Sequence, residues 1–315
     1  MTDLLLQSPR AWARRAVLAL PLPGPLAPLG HVREALVGPS PVRGRRVLVT
    51  GASSGIGEAT AKALARRGAL VLLVARRREE LDRVAGEIAA EGGVCRAFAC
   101  DLTDADSVDQ LVAAVLAEHG GVDILVNNAG RSIRRSLTAS YDRMHDFERT
   151  MELNYYAPVR LMLGLLPTMV EQGDGHVVNI LSWGVQIKAP KFSAYLASKS
   201  ALDVFSRIAG RELYGSGVTF TNLRMPLVRT PMIGPTDLYA RSPALTPEEA
   251  AERVVRACED RPITVDTLPG RVAEVLNLVL PRVSDALAYA AARRFPDSPA
   301  AVRHLRSVSA EPGGG

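Results

Sequence analysis

Arg46-Val-Leu-Val-Thr50-Gly-Ala-Ser-Ser-Gly-Ile-Gly57 decides how this chain folds. A short β-rich run, 46–50, passes straight into a glycine-rich turn, and a helical pattern over 56–67 follows. Glycines fall at 51, 55 and 57, spaced T-G-x-x-x-G-x-G rather than G-x-G-x-x-G. In such a strand–turn–helix unit Gly51 makes the tight turn, Gly55 lets the backbone approach an anion, and Gly57 lets helix and strand pack closely. The helix N-terminus then presents free N–H groups and a positive dipole end to that anion. The same residues also read as a glycine-rich turn that binds nothing, so the rest of the chain has to decide.

Outward from this unit the pattern alternates. Strands are expected at 46–50, 69–74, 94–98, 122–126, 175–181 and 218–223, with a weak one at 263–265. Helices are expected at 56–67, 79–91, 106–118, 146–171, 195–214 and 247–259. Runs such as Leu70-Val-Leu-Leu-Val74 are apolar without interruption, as in a parallel sheet covered on both faces. The expected fold is α/β, a doubly wound parallel sheet whose ligand sites lie at the C-terminal strand ends. Residues 1–44 read as an N-terminal extension, 45–265 as one α/β domain, and 266–315 as a helical extension ending in a disordered Pro-Gly-Gly-Gly tail.

Composition excludes several classes. With 315 residues, 47% of them hydrophobic, the chain can bury one large core. It has no stretch of 18 apolar residues to span a membrane. Arg14-Arg15 and the apolar run to Leu20 look like an export signal, but prolines at 21, 23, 25 and 28 break the run. The net charge of +5 is concentrated in arginine clusters at 43–46, 76–78 and 131–135. These suit phosphate-bearing ligands; no helix-turn-helix, zinc spacing or stacking platform supports nucleic acid. Three cysteines, at 95, 100 and 258, give no disulfide framework and fit a reducing cytoplasm. The five histidines are scattered, so no metal site is expected.

The chemistry concentrates in Ser182-(12 residues)-Tyr195-(3 residues)-Lys199. A phenol titrates near 10, and a nearby ammonium favours the phenolate and draws that value toward neutrality. Four residues apart on a helix, Tyr195 and Lys199 share a face. Ser182 ends the apolar run 175–181, where its hydroxyl can hold a substrate oxygen beside the phenol. The alternative is a surface helix with a chance Tyr-x-x-x-Lys. After the second strand come Val74-Ala-Arg76-Arg-Arg78: an acidic residue here would hold a ribose 2′-OH, whereas Arg76 receives a 2′-phosphate. NADP(H) is therefore expected over NAD(H), unless the turn is merely basic and solvated. Asp101 after the third strand either accepts from an adenine amino group or caps the next helix. Asn127-Asn-Ala-Gly130 lets the backbone run close to a cofactor. Asn154, an awkward helix residue, either bonds a water leading toward Lys199 or marks a kink.

In this order and spacing, Thr50–Gly57, Asn127–Gly130, Asn154, Ser182, Tyr195 and Lys199 resemble the short-chain dehydrogenase/reductase superfamily, over roughly residues 45–265. The resemblance implies a Rossmann-type fold and NAD(P)-dependent hydride transfer. It implies Tyr195 as general acid/base, Ser182 as binder of the substrate oxygen, Lys199 on the nicotinamide ribose, and Asn154 in a proton relay. The cofactor site it implies draws on Gly51, Ser53, Ser54, Gly55, Ile56 and Gly57, then on Arg76, Asp101 and Leu102. It continues through Asn128, Ala129, Gly130, Tyr195 and Lys199 to Pro226, Val228 and Thr230, the last against the carboxamide. Leu227 stands where the family usually has glycine, which leaves the backbone path at the nicotinamide open.

Residues 127–136, 140–151 and 225–233 look, more narrowly, like bacterial fatty acyl-CoA reductases, which form long-chain aldehydes from acyl-CoA with NADPH. That resemblance implies acyl-CoA as substrate, with Arg131, Arg134 and Arg135 on CoA phosphates and Trp183 and Met232 in the substrate pocket. The arginines alternatively pair with Asp142, Asp146 or Glu148 and only brace the loop. Leu227, Met232, Ile233 and Leu238, with Pro231 and Pro235, form either a lid over an acyl chain or core. Apolar stretches 272–280 and 283–294 either cover the tail, rest on a membrane surface, join copies of the chain, or are core. No cysteine falls in an apparent active-site segment, so direct reduction without an acyl-enzyme is expected. The expected protein is a cytoplasmic homo-oligomer with possible peripheral membrane contact. The alternative is a reductase or dehydrogenase of another lipophilic carbonyl or alcohol.

Overall fold

Strands and helices alternate along the chain, and the apolar runs 47–50, 71–75, 124–127 and 175–181 are buried on both faces. A computed structural model describes residues 40–233 and 242–293. The order is β1 (Arg46–Thr50), α1 (Gly55–Arg66), β2 (Leu70–Ala75), α2 (Arg78–Ala90), β3 (Val94–Ala99), α3 (Ala105–His119) and β4 (Ile124–Asn127). Then come α4 (Met144–Met151), a π-helical segment (Glu152–Tyr156), α5 (Ala157–Glu171), β5 (Gly175–Ser182), the short α6 (Gly184–Ile187), α7 (Ser193–Glu212) and β6 (Val218–Met225). The chain continues through α8 (Pro247–Asp260), β7 (Thr264–Val265), α9 (Leu268–Val279) and α10 (Pro281–Arg293).

All seven strands are parallel, in the order β3-β2-β1-β4-β5-β6-β7. Alternate strand residues feed opposite cores. Val47 and Val49 pack with α1, α2 and α8 on one face, while Leu48 packs with α3, α5 and α7 on the other. The connections after β1 and β4 diverge because the strand order turns back at this pair. That opens a crevice at their C-terminal ends, where an open α/β sheet binds its ligands.

The structure departs from the sequence reading at Asn154 and before residue 45. The helix expected over 146–171 is interrupted, because Asn154 directs its side chain to the backbone of Arg131 rather than to solvent and the turn around it widens to the π form. The core also begins before residue 45: Val42 is wholly buried against the first face. Pro235, Leu238, residues 1–39 with the arginine pair 14–15, and the tail from 294 lie outside the described residues.

After β7 the chain leaves the sheet. Helix α9 packs on α6, and α10 packs on α9. Polar contacts hold α9 in place. Asn277 Nδ2 donates to Gln186 O at 2.7 Å, and Gln186 Nε2 donates to Glu274 Oε2 at 3.0 Å. Arg224 on β6 spans Asp203, Asp266 and Glu274 at 2.7, 3.2 and 3.4 Å. No residue of α10 is buried. Among the described residues no helix is long and apolar enough to cross a membrane, and no group of side chains is arranged to hold a metal.

Candidate active site

The turns after β1 and β4 are laced together. Thr50 Oγ1 accepts from Asn128 N at 2.9 Å and Ala129 N at 3.0 Å, and Asn128 Nδ2 donates to Thr50 O at 2.8 Å. Gly57 sits where a Cβ would lie 2.2 Å from Gly51 O, a distance no side chain tolerates. Its part is to let α1 close on the turn, and it does not line the cavity above. That cavity, about 1260 Å³, opens over the C-terminal edge of the sheet. It exceeds the roughly 300–1,000 Å³ of one small-molecule site, which leaves room for a cofactor and a second ligand.

Most of the residues singled out in the sequence meet in this cavity. Gly51, Ser53, Ser54, Gly55 and Ile56 line one end, with Arg76 and Leu102 beside them. Asn128, Ala129, Gly130, Pro226, Val228 and Thr230 line the middle, around Ser182, Tyr195 and Lys199. Trp183, Met232 and Arg134 also line it. Leu227, at the position where glycine is usual, lines it too.

Four residues of the expected set lie outside the lining besides Gly57. Asp101 Oδ1 accepts from Thr103 N at 2.9 Å and Thr103 Oγ1 at 2.7 Å, and its carboxylate reaches Arg76 at 4.0 Å. The bond from Thr103, with Arg76 and Arg131 nearby, holds this carboxyl below the usual range. The cap of α3 is Asp104, which accepts from Asp106 N, so the capping reading of Asp101 gives way to one at the rim beside Arg76. Asn154 and Arg131 form a clamp behind the cavity wall. Asn154 Oδ1 accepts from Arg131 N at 2.8 Å, and its Nδ2 donates to Arg131 O and Ser198 Oγ, each at 2.9 Å. Arg135 points away. Its Nε meets Asp146 Oδ2 at 3.2 Å, within a cluster that includes Arg143 and Arg149. Burial alone would push Asp146 up, but Arg149, Arg143 and Arg135 outweigh it and hold the carboxyl low.

Lys199 is buried, and among the described residues its ammonium makes one hydrogen bond, to Ile180 O at 2.8 Å. Burial lowers its pKa from 10.5 to about 8. A Cβ on Gly130 would lie 3.2 Å from Asn154 Oδ1 and 3.4 Å from Lys199 Nζ, so the bare glycine lets both groups crowd one spot of backbone. Tyr195 is half-buried, with Phe192 edge-on at 6.4 Å. Ser182 Oγ accepts from Gly184 N at 3.1 Å, which fixes the hydroxyl at the end of β5. A hydroxyl, a phenol and a buried ammonium thus share one cavity, a set suited to holding a carbonyl oxygen and moving a proton to it.

The cavity has further walls. Ile187, Phe192 and Lys191 come from the connection between Ser182 and Tyr195, and Leu287 and Ala288 from α10. Position between two motifs is a usable signal for the first group; the second belongs to the apolar stretch 283–294, for which covering an acyl tail is one of the expected roles.

Residues 45–238 match the short chain dehydrogenase family model. The chain is 49% identical over 261 residues to a fatty acyl-CoA reductase of Acinetobacter baylyi, covering 83% of this chain and 88% of that protein. It is 46% identical over 280 residues to a fatty acyl-CoA reductase of Mycobacterium tuberculosis, covering 89% and 95%. Among solved structures, a metagenomic short-chain oxidoreductase in complex with NADP matches with a TM-score of 0.62 at 31% identity, covering 72% of this chain and 97% of that one. The chain belongs to the short-chain dehydrogenase family.

Proposed function

We propose that the protein reduces a long-chain acyl-CoA thioester to the fatty aldehyde with NADPH. One observation carries this reading: a single cavity joins a glycine-rich anion cradle and Arg76, the Ser182–Tyr195–Lys199 set, Arg134, and apolar lining from Trp183, Met232 and α10. The names of the Acinetobacter and Mycobacterium relatives support the thioester substrate, and the NADP-bound neighbour supports the cofactor.

The residues fit the dinucleotide. The buried Lys199 ammonium has donors to spare for a ribose, the turn at 51–56 has backbone N–H groups for a pyrophosphate, and Arg76 suits a 2′-phosphate. When bound, NADPH supplies the hydride. Ser182 and Tyr195 hold the oxyanion that develops on the substrate, and Tyr195 gives up its proton to it. The resulting hemithioacetal collapses to aldehyde and free CoA thiol. Cys100 and Cys258 are buried with their thiols pushed up by burial, the latter to about 12, so neither is a ready nucleophile. The test is NADPH oxidation against a panel of acyl-CoAs, aldehydes and ketones with thiol release followed in parallel. Release of one thiol per acyl-CoA consumed supports the reading, and oxidation only with carbonyls overturns it. The second reading, a reductase of another lipophilic carbonyl, draws on the arginines: of the three expected on CoA, Arg134 alone lines the cavity.

The charges carry three predictions. A charge-assisted bond to phosphate contributes roughly 1.5–3 kcal/mol. Arg76→Ala should therefore weaken NADPH at least tenfold in a fluorescence titration and leave NADH nearly unchanged; equal losses would make Arg76 structural. Arg134→Gln should raise KM for an acyl-CoA, with less salt dependence, and spare a free aldehyde of similar length. Arg135→Gln should instead lower the melting temperature, because it removes a partner from the 4%-exposed Asp146 side chain.

Helix α9 exposes Val272, Val275, Leu278 and Val279. We assign this apolar face to peripheral contact, with a lipid surface or with a second copy of the chain, as suits a cytoplasmic enzyme whose substrate is an amphiphile.

A further inference from the structure

We infer that helix α10 forms the wall of the acyl-chain channel and that Ala288 and Ala292 set the longest chain admitted; the inference rests on the acyl-CoA reading above. Ser284, Leu287, Ala288, Ala291 and Ala292 all line the catalytic cavity, and they recur at the i, i+3, i+4 spacing of one helix face. Burial follows the centre of that face, with Leu287 and Ala291 exposed at its edge. Ser284, Ala288 and Ala292 are the half-buried residues of α10, whereas Ala286, opposite them, is exposed. The helix buries no side chain in the protein core and is carried on α9, which the Arg224 and Gln186 contacts pin to the domain. Its inner face is turned to the cavity rather than packed on the core.

Trp183, Ile187, Met232 and Ile233 line the same cavity, so the wall that α10 shares is largely apolar. It continues from Ser182 and Tyr195 without a break, since all these residues line one cavity. An acyl chain whose carbonyl lies at Tyr195 has this space in which to leave water. Each buried methylene should tighten binding about fourfold, the equivalent of the usual ~0.8 kcal/mol. Alanine at 288 and 292 leaves the channel open, and a larger side chain there would close it to the distal part of a long chain.

The test is a chain-length profile, from octanoyl-CoA to octadecanoyl-CoA, for the wild type, Ala288→Phe, Ala292→Phe and the outward control Ala286→Phe. The two inward variants should lose at least tenfold in kcat/KM for hexadecanoyl-CoA, stay within about twofold for octanoyl-CoA, and shift the optimum to shorter chains. The control should keep the wild-type profile. Equal loss at both lengths, or no loss in either inward variant, overturns the inference. Ala288→Leu, a smaller change with good helix propensity, repeats the test should the phenylalanine variants melt early, and it should shift the profile the same way by a smaller factor. A wild type inactive on every acyl-CoA but active on aldehydes would overturn the thioester reading instead. The same variants would then be compared on octanal and hexadecanal, with the same length-dependent loss expected.

Discussion

Tyr195→Phe, which removes one oxygen and nothing else, should lower kcat at least 10²-fold and as much as 10⁴-fold, the range typical of a lost general acid. The phenol shares its cavity with Ser182 and the buried Lys199, and α7 carries both Tyr195 and Lys199 on one face. Affinity for NADPH should stay near the wild-type value, since the substitution leaves the glycine turn and Arg76 untouched. Steady-state NADPH oxidation and a fluorescence titration measure the two quantities separately. Near-normal turnover would remove Tyr195 from the chemistry, and a matching loss of cofactor affinity would make it a binding residue.

Lys199→Met should abolish turnover and yet make the protein without cofactor more stable near neutral pH. Lys199 is buried, among the described residues no carboxylate lies against it, and burial lowers its pKa from 10.5 to about 8. Below pH 8 both folded and unfolded chains carry the proton, and the folded state bears the whole cost of the buried charge. Between about 8 and 10.5 the unfolded chain binds more protons, so this cost is relieved as pH rises. The separation of the two values corresponds to about 3 kcal/mol. Methionine fills similar space without the charge, so urea unfolding should show a gain of up to that size at pH 7, shrinking as pH rises from 8 to 10.5. A variant destabilised at every pH would mean that the bond to Ile180 O outweighs the buried charge. The expected trade of stability for function is common where an active site holds a strained or desolvated group.

How much was legible beforehand differs from element to element. The β1–α1 unit was readable because its determinants are neighbours: an apolar run, a turn that needs glycine, and a helix that starts at once. Tyr195 and Lys199 were readable because a four-residue spacing already places them on one face of a helix. Asparagine at 154 is awkward in a helix, but the π turn around it depends on the Arg131 backbone twenty-three residues away. The arginines at 131, 134 and 135 looked alike in sequence. Folding sent Arg135 to Asp146, left Arg131 by Asp101 and put Arg134 on the cavity wall.

Local sequence was enough for the alternation of strands and helices, for the placement of the motifs at the C-terminal ends of strands, and for Tyr195 and Lys199 sharing one helix face. Each of those depends on short-range periodicity and on residues a few positions apart. Only packing decided that Lys199 is desolvated to a pKa of about 8 and that, of the roles open to stretch 283–294, α10 takes a place in the cavity wall. Desolvation and enclosure are set by which distant atoms exclude water around a group. For Lys199 and the cavity those atoms come from β4, β5, α7 and a helix about a hundred residues further on, brought together only when the sheet and its covering helices have packed.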